Sequence, residues 1–220
     1  MLDDPAPPRP EAFIHPLLVA SACYDPGAVR DHLDLAVAAL GMGACLDEVL
    51  FPALREIGRR WQLGRFDIEA ERLASEAVRG WLEGLALSAP EPDGLAPLVL
   101  TCGPADLHSI GLEALGVLLR HHGRECRVLG ARIPVRSLTI AVKANRPSGV
   151  VVVSHLRTNR LSATQSLRAA AALGPDVFYA GGAFSSVRLR RNVPGTHLDH
   201  DLRSACEVIL QTTGTLGVRG

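Results

Sequence analysis

The hydrophobic residues of the chain follow two different patterns, one before and one after a proline-rich stretch. Before that stretch, apolar residues recur every three or four positions, which is the period of an amphipathic helix. Four segments show this pattern, and Asp25 followed by Pro26 is a typical helix start. They predict an antiparallel four-helix bundle over residues 1–88, in which Pro52 bends or delays the third helix.

After a predicted linker at residues 89–97, short apolar runs alternate with helical patterns. Continuous apolar strands are typical of parallel sheets that are covered on both faces. The runs are "LVLTC", "ECRVLG", "GVVVVS" and "VFYAGG", with a fifth element near "GTHLDH". Residues 98–220 are therefore expected to form an α/β domain. Its expected architecture is a doubly wound, flavodoxin-like, five-stranded parallel sheet in the order 2-1-3-4-5.

Composition narrows the classes of function. The chain has 23 basic and 23 acidic residues and only 4% aromatic residues. This balance argues against direct nucleic-acid binding, which favours a basic excess and aromatic stacking platforms. Five cysteines form no C-x-x-C pair, which favours reduced thiols and a cytoplasmic location. No signal peptide and no membrane span are expected from the sequence.

Unusual residues follow three strands that the predicted order makes neighbours. Asp106 and His108 follow the first strand, Ser154 follows the third, and Gly181-Gly182 follow the fourth. The carboxyl ends of such strands line the crevice where this fold binds ligands. His108 has the chemistry of a metal ligand, and Asp106 could accept the hydrogen of its distal ring nitrogen.

Each of these residues also has a purely structural interpretation. A single histidine before a helix is usually a surface or capping residue. Ser154 could cap a helix, and the two glycines could form a turn. Their joint placement at adjacent strand ends favours a ligand site over three separate structural roles.

These motifs, D-x-H-x-x-G, then S-x-L, then G-G, resemble the signature of base-off, His-on cobalamin-binding domains. The matching residues are Asp106, His108, Gly111, Ser154, Leu156, Gly181 and Gly182. The resemblance implies that cobalamin is the cofactor and that His108 binds its cobalt from below. It also implies that the displaced dimethylbenzimidazole tail runs beside Ser154 and Gly181-Gly182. Ser109, in the same loop, is included among the expected cofactor-binding residues.

The helical half resembles the four-helix cap of cobalamin-dependent light-sensing transcription regulators and, more distantly, that of corrinoid methyl-carrier proteins. In the light sensors a tryptophan and a Glu-His pair overhang the upper corrin face; Trp61 and Glu71 match, but Arg72 replaces the histidine. Glu71 is the polar member of an otherwise apolar helix face, which favours a partner for it. That face is completed by Ala74, Val78, Trp81 and Leu85.

The alternatives for this half remain open. Trp61 could simply pack inside the bundle, and Trp81 is expected in the core. Arg72 belongs to a charged row with helix ion-pair spacing and is expected to be solvated. His155, between Ser154 and Leu156, is interpreted as a polar residue at a strand end.

The resemblance implies a stand-alone cobalamin-binding sensor that uses adenosylcobalamin or methylcobalamin. Because the bundle begins almost at once, no DNA-binding module is expected, and a signal would pass through cap movement, a protein partner or a homo-oligomer. Catalysis by the chain itself is not expected. The alternatives are a corrinoid methyl-carrier subunit of a methyltransferase system and a scaffold with a vestigial site.

Overall fold

The chain forms two compact units that divide between Gly84 and Leu85. The computed structural model describes residues 9–199 and 201–214. The outer limits of the predicted domains, residues 1 and 220, lie outside this range. The first unit is helical, and the second contains the whole of a parallel sheet.

Short connections join the helices of the first unit. The helices are α1 (Glu11–Ala22), α2 (Pro26–Leu40), α3 (Met42–Ala44), α4 (Phe51–Gln62) and α5 (Ile68–Leu87). The last of them, α5, crosses the division between the two units. Asp25 starts α2 as expected, since its carboxylate accepts a hydrogen bond from the Ala28 backbone N–H at 2.9 Å. The third predicted helix is interrupted by a π-helical segment, Cys45–Leu50, and Pro52 is the second residue of α4.

Small and aliphatic side chains form the core of the first unit. One cluster joins α1, α4 and α5 through Leu18, Ile57, Phe66, Ala70 and Ala74. Trp81 is 5% exposed, and its indole N–H donates to the Asp34 carboxylate at 2.7 Å. Trp81 is therefore a core residue, as the sequence predicted, and its one polar atom has a partner.

The second unit has the predicted sheet. Its strands are β1 (Leu98–Cys102), β2 (Cys126–Gly130), β3 (Gly149–Val153), β4 (Asp176–Ala180) and β5 (Thr196–His197). All pairings are parallel and the order is β2-β1-β3-β4-β5, which confirms the predicted fold class. Every residue of β1 and β3 is buried, as expected for central strands covered on both faces.

Five helices of the described chain accompany these strands. They are α6 (Ile110–His121), α7 (Val135–Asn145), α8 (Arg160–Ala171), the short α9 (Val187–Arg190) and α10 (Leu202–Gly214). No helix in residues 9–199 or 201–214 has both the length and the apolar character needed to cross a bilayer.

The predicted linker is attached to the second unit by hydrogen bonds. The Asp93 backbone N–H donates to the Gly123 carbonyl at 2.8 Å. The Arg124 side chain, 2% exposed, donates to the Ala96 carbonyl at 3.1 Å, to Ser148 at 2.9 Å and to Thr213 at 2.8 Å. These hydrogen bonds hold the segment that leads into β1 against the rest of the second unit.

The loops that follow β3 and β4 pack backbone against backbone. Gly181 has φ +101° and ψ 168°, a region that only glycine occupies readily. A Cβ atom on Gly181 would overlap the Ser154 carbonyl oxygen, and one on Gly182 would lie 2.6 Å from the His155 carbonyl oxygen. The two glycines therefore let the β4 loop pack directly against the loop that carries Ser154 and His155.

Replacing Gly181 with alanine tests this packing. Gly174 is the matched control, because it has a similar φ of +100° but no atom within 4 Å of its would-be Cβ. Gly174→Ala should cost about 1–3 kcal/mol of unfolding free energy through backbone strain. Gly181→Ala should cost ~1–3 kcal/mol more, because the new methyl group also overpacks the loop. Urea denaturation measures both, and equal losses would contradict the steric role of Gly181.

Candidate functional site

Asp106 is the buried centre of the predicted site. It lies in the loop between β1 and α6 and is 1% exposed. One carboxylate oxygen accepts the backbone N–H of His108 at 3.0 Å and lies 3.0 Å from the His108 ring nitrogen Nδ1. The other oxygen accepts the backbone N–H of His155. The Asp106 carbonyl accepts the backbone N–H of Arg132 at 3.0 Å. Asp106 thus bonds to loops that follow three different strands.

The charge state of Asp106 follows from these contacts. Burial by itself raises the pKa of the carboxyl group, since it disfavours the charged form. The rings and backbone N–H groups of His155 and His108 outweigh that effect and hold the pKa below its usual range. The carboxylate is therefore ionised at neutral pH and accepts hydrogen bonds only.

His108 is held at one ring nitrogen and exposed otherwise. Its side chain is 62% exposed, and its Nδ1 faces the Asp106 carboxylate. Because an ionised carboxylate only accepts, the hydrogen of a neutral imidazole is fixed on Nδ1. The other ring nitrogen, Nε2, then carries the lone pair that a metal requires. This is the arrangement of a carboxylate-supported metal ligand.

Ser154 is buried with an unpartnered hydroxyl group. It follows β3 directly, is fully buried, and its Oγ has no hydrogen-bond partner within the described residues. An unsatisfied buried hydroxyl costs free energy, so a site with such a group is suited to a ligand that supplies a partner. Gly181 and Gly182 lie against the same loop.

The other motif residues of the second unit differ in exposure. Ser109 is 4% exposed and precedes α6, and Gly111 is the second residue of that helix. Leu156, by contrast, is 52% exposed. The exposed Leu156 side chain therefore adds an apolar group to the surface at the strand ends.

His155 is the functional candidate that sequence reasoning did not place. It was interpreted as a polar residue at a strand end. Its ring centroid lies 5.2 Å from that of His108, and its Nδ1 lies 3.6 Å from an Asp106 carboxylate oxygen. The only sequence signal was its position inside the S-x-L motif, next to a strand that neighbours the one before His108.

The predicted residues of the helical unit lie near the α4–α5 connection. Trp61 is 45% exposed, unlike the core residue Trp81, so it does not form part of the bundle interior. Glu71 is half-buried in the first turns of α5, where its carboxylate accepts the Ser75 hydroxyl at 2.8 Å. Arg72 is exposed, as expected for a solvated position.

Sequence comparison gives one family match and two curated relatives. Residues 15–85 match the family described as B12 binding domain. The chain is 35% identical over 187 residues to the HTH-type transcriptional repressor CarH of Myxococcus xanthus, covering 82% of this chain and 61% of that protein. It is 38% identical over 127 residues to the HTH-type transcriptional repressor CarA of the same organism, covering 57% of this chain and 41% of that protein. The chain therefore spans less than two thirds of either relative.

Solved structures share the fold. The monomethylamine corrinoid protein of Methanosarcina barkeri matches with a TM-score of 0.72 and 14% identity, over 92% of this chain and 99% of its own. The methanol:cobalamin methyltransferase complex MtaBC of the same organism matches with a TM-score of 0.50 and 17% identity, over 93% and 81%. At sequence identities this low, the structural similarity shows that this chain shares the fold of these proteins.

The fold, the family match and the curated relatives agree with one another. The resemblance predicted from sequence is confirmed, and so is its cofactor: the chain is a cobalamin-binding domain protein, with its B12 binding domain match at residues 15–85.

Proposed function

We propose that this chain is a cobalamin-dependent sensor in which His108 is the lower cobalt ligand and the cofactor's own base is displaced. The observation that carries the proposal is the contact between the Asp106 carboxylate and His108 Nδ1 at 3.0 Å. In a neutral imidazole this contact places the hydrogen on Nδ1, so that Nε2 carries the lone pair that a metal requires. A second-shell carboxylate of this kind typically strengthens metal affinity by roughly 10–100-fold.

The neighbouring residues fit the displaced base. Dimethylbenzimidazole that has left cobalt exposes a ring nitrogen, which is a hydrogen-bond acceptor. The Ser154 hydroxyl, which has no hydrogen-bond partner within the described residues, can donate a hydrogen bond from the start of the loop after β3. A bond between the two would satisfy both groups, and Gly181 and Gly182 let the β4 loop pack against the loop that carries Ser154. Ser109, Gly111 and Leu156 are proposed to complete this binding surface.

Two residues of the helical unit are proposed to face the cofactor. Trp61 exposes 45% of its surface, although burying an indole is strongly favourable, so it is suited to cover an apolar face of a ligand. Glu71 holds one hydrogen bond, to Ser75, and retains accepting capacity for an amide group. Bound adenosylcobalamin or methylcobalamin would supply a light-labile cobalt–carbon bond, and the helical unit would respond to its loss.

The sensor interpretation is supported by the relatives, which are named as transcriptional repressors. A signal requires two states that bind the cofactor differently. We propose that movement of the helical unit, or a change of assembly with a partner or a second copy, is the output. The chain itself needs no catalytic step for this role.

A corrinoid methyl carrier is the second candidate. Arg72 favours it, because the light sensors that the chain resembles have a histidine at this position. A guanidinium stays protonated in proteins and is no cobalt ligand. An upper face without that histidine remains open to a small transferable group, as a carrier requires.

Removing His108 tests the lower ligand. His108→Ala, loaded with adenosylcobalamin in the dark, should lose the absorption bands of imidazole-ligated cobalt and bind the cofactor more weakly. His122→Ala is the matched control, since His122 is exposed at the opposite end of α6. An absorption spectrum of each variant measures the ligation. A His108→Ala spectrum identical to that of the unmodified protein would contradict the assignment.

Light separates the two candidate functions. A sensor loaded with adenosylcobalamin should change both its visible spectrum and its elution volume in size-exclusion chromatography after green light. A light-stable spectrum with an unchanged elution volume would reject the sensor. Transfer of a methyl group from a partner methyltransferase to the reduced, loaded protein would then support the carrier.

A further inference from the structure

Two imidazoles and one carboxylate converge at the strand ends of the second unit. His108 Nδ1 lies 3.0 Å and His155 Nδ1 lies 3.6 Å from the same Asp106 oxygen. One ligand atom from each residue lies within 4.8 Å of the other two. No other group of three such residues is found in the part of the chain that the structure describes.

The second imidazole has an unsatisfied atom. His155 Nδ1 is buried and makes no hydrogen bond: it faces the Asp106 carboxylate at 3.6 Å, close enough for the electrostatic attraction that lowers the Asp106 pKa but too long for a hydrogen bond. The rest of the His155 side chain is 38% exposed. A buried nitrogen without a partner calls for an explanation, and a bound ion is one that fits its chemistry.

Two histidines and a carboxylate are a donor set for transition-metal cations. Imidazole and carboxylate bind Zn²⁺ at about 2.0–2.2 Å, so ligand atoms on one tetrahedral ion lie about 3.4 Å apart. The two distances to Asp106 are close to that separation. The 62% exposed His108 side chain has room to adjust its ring to an ion.

We propose that the cobalamin-free protein binds a divalent transition-metal cation of the zinc class through Asp106, His108 and His155. The ion gives the orphaned His155 nitrogen a partner and neutralises the buried carboxylate. It replaces the contact between Asp106 and His108 Nδ1 with two metal–ligand bonds. A water molecule completes the coordination, as in zinc sites with three protein ligands.

This cation and cobalamin compete for one imidazole. A cation on His108 Nδ1 displaces the hydrogen to Nε2, which then lacks the lone pair that cobalt requires. A cation on Nε2 occupies the cobalt-binding nitrogen directly. Either geometry makes cation binding and cobalt ligation by His108 mutually exclusive. This competition rests on the proposed lower ligand, whereas the cation site does not.

Zinc titration of the cobalamin-free protein, residues 1–220, tests the site. Isothermal calorimetry with zinc chloride should detect one ion per chain. His155→Gln should weaken this binding by at least ~100-fold, beyond the roughly 10–100-fold that loss of a supporting residue costs. His122→Gln, an exposed histidine about 18 Å along α6, should bind as the unmodified chain does. Undetectable zinc binding, or equal affinity in the His155→Gln variant, would overturn the proposal.

A second titration tests the competition. Zinc added before adenosylcobalamin should suppress the imidazole-ligated absorption spectrum in the unmodified chain and leave it unchanged in His155→Gln, whose backbone N–H still bonds to Asp106. An undiminished spectrum in zinc-loaded protein would overturn mutual exclusion. Failure of cobalamin to give that spectrum even without zinc would instead reject the proposed lower ligand, while the calorimetry still decides the cation site.

Discussion

A single buried carboxylate holds the strand-end loops of the second unit together. Asp106 is 1% exposed, and an ionised group at such depth is costly unless N–H donors surround it. The donors come from His108 in its own loop and from His155 after β3. The Arg132 amide after β2 bonds to the Asp106 carbonyl. The carboxylate that we propose orients the cobalt ligand therefore belongs to the residue that also holds the loops after β1, β2 and β3 together.

The sheet order explains why these loops meet. β1 and β3 are neighbours and parallel, so the chain segments after Cys102 and Val153 leave the same edge side by side. The β4 loop packs directly against the loop after β3 because Gly181 and Gly182 lack side chains, and Gly181 takes a conformation that other residues avoid. The position of the site thus depends on the order of the strands, and the close contact between its loops depends on these two glycines.

Much of this architecture could be predicted from sequence because its signals are local. Buried central strands appear as apolar runs such as residues 149–153, and their bounds follow from flanking helical patterns. Asp106 and His108 form a motif within three residues. The π-helical segment before α4 could not be predicted, because Pro52 indicated an irregularity in this helix but not its kind.

The features that sequence reasoning missed depend on long-range contacts. His155 meets Asp106 across 49 positions of the chain, and its place inside the S-x-L motif does not reveal that contact. The same limit applies to Trp61, for which the sequence left bundle packing and a position over the cofactor open, whereas Trp81 is in the core as predicted. Only the packing of the helices shows that Trp61 is 45% exposed.

The central claim is that an imidazole of this chain, rather than the cofactor's own base, binds cobalt from below. Electron paramagnetic resonance of protein loaded with cob(II)alamin tests it directly, because an axial nitrogen splits each cobalt line. Protein grown with ¹⁵N-labelled histidine should show doublets where unlabelled protein shows triplets, since ¹⁵N has spin one half and ¹⁴N has spin one. Triplets that persist in the labelled protein would mean that dimethylbenzimidazole remains on cobalt, and they would contradict the account.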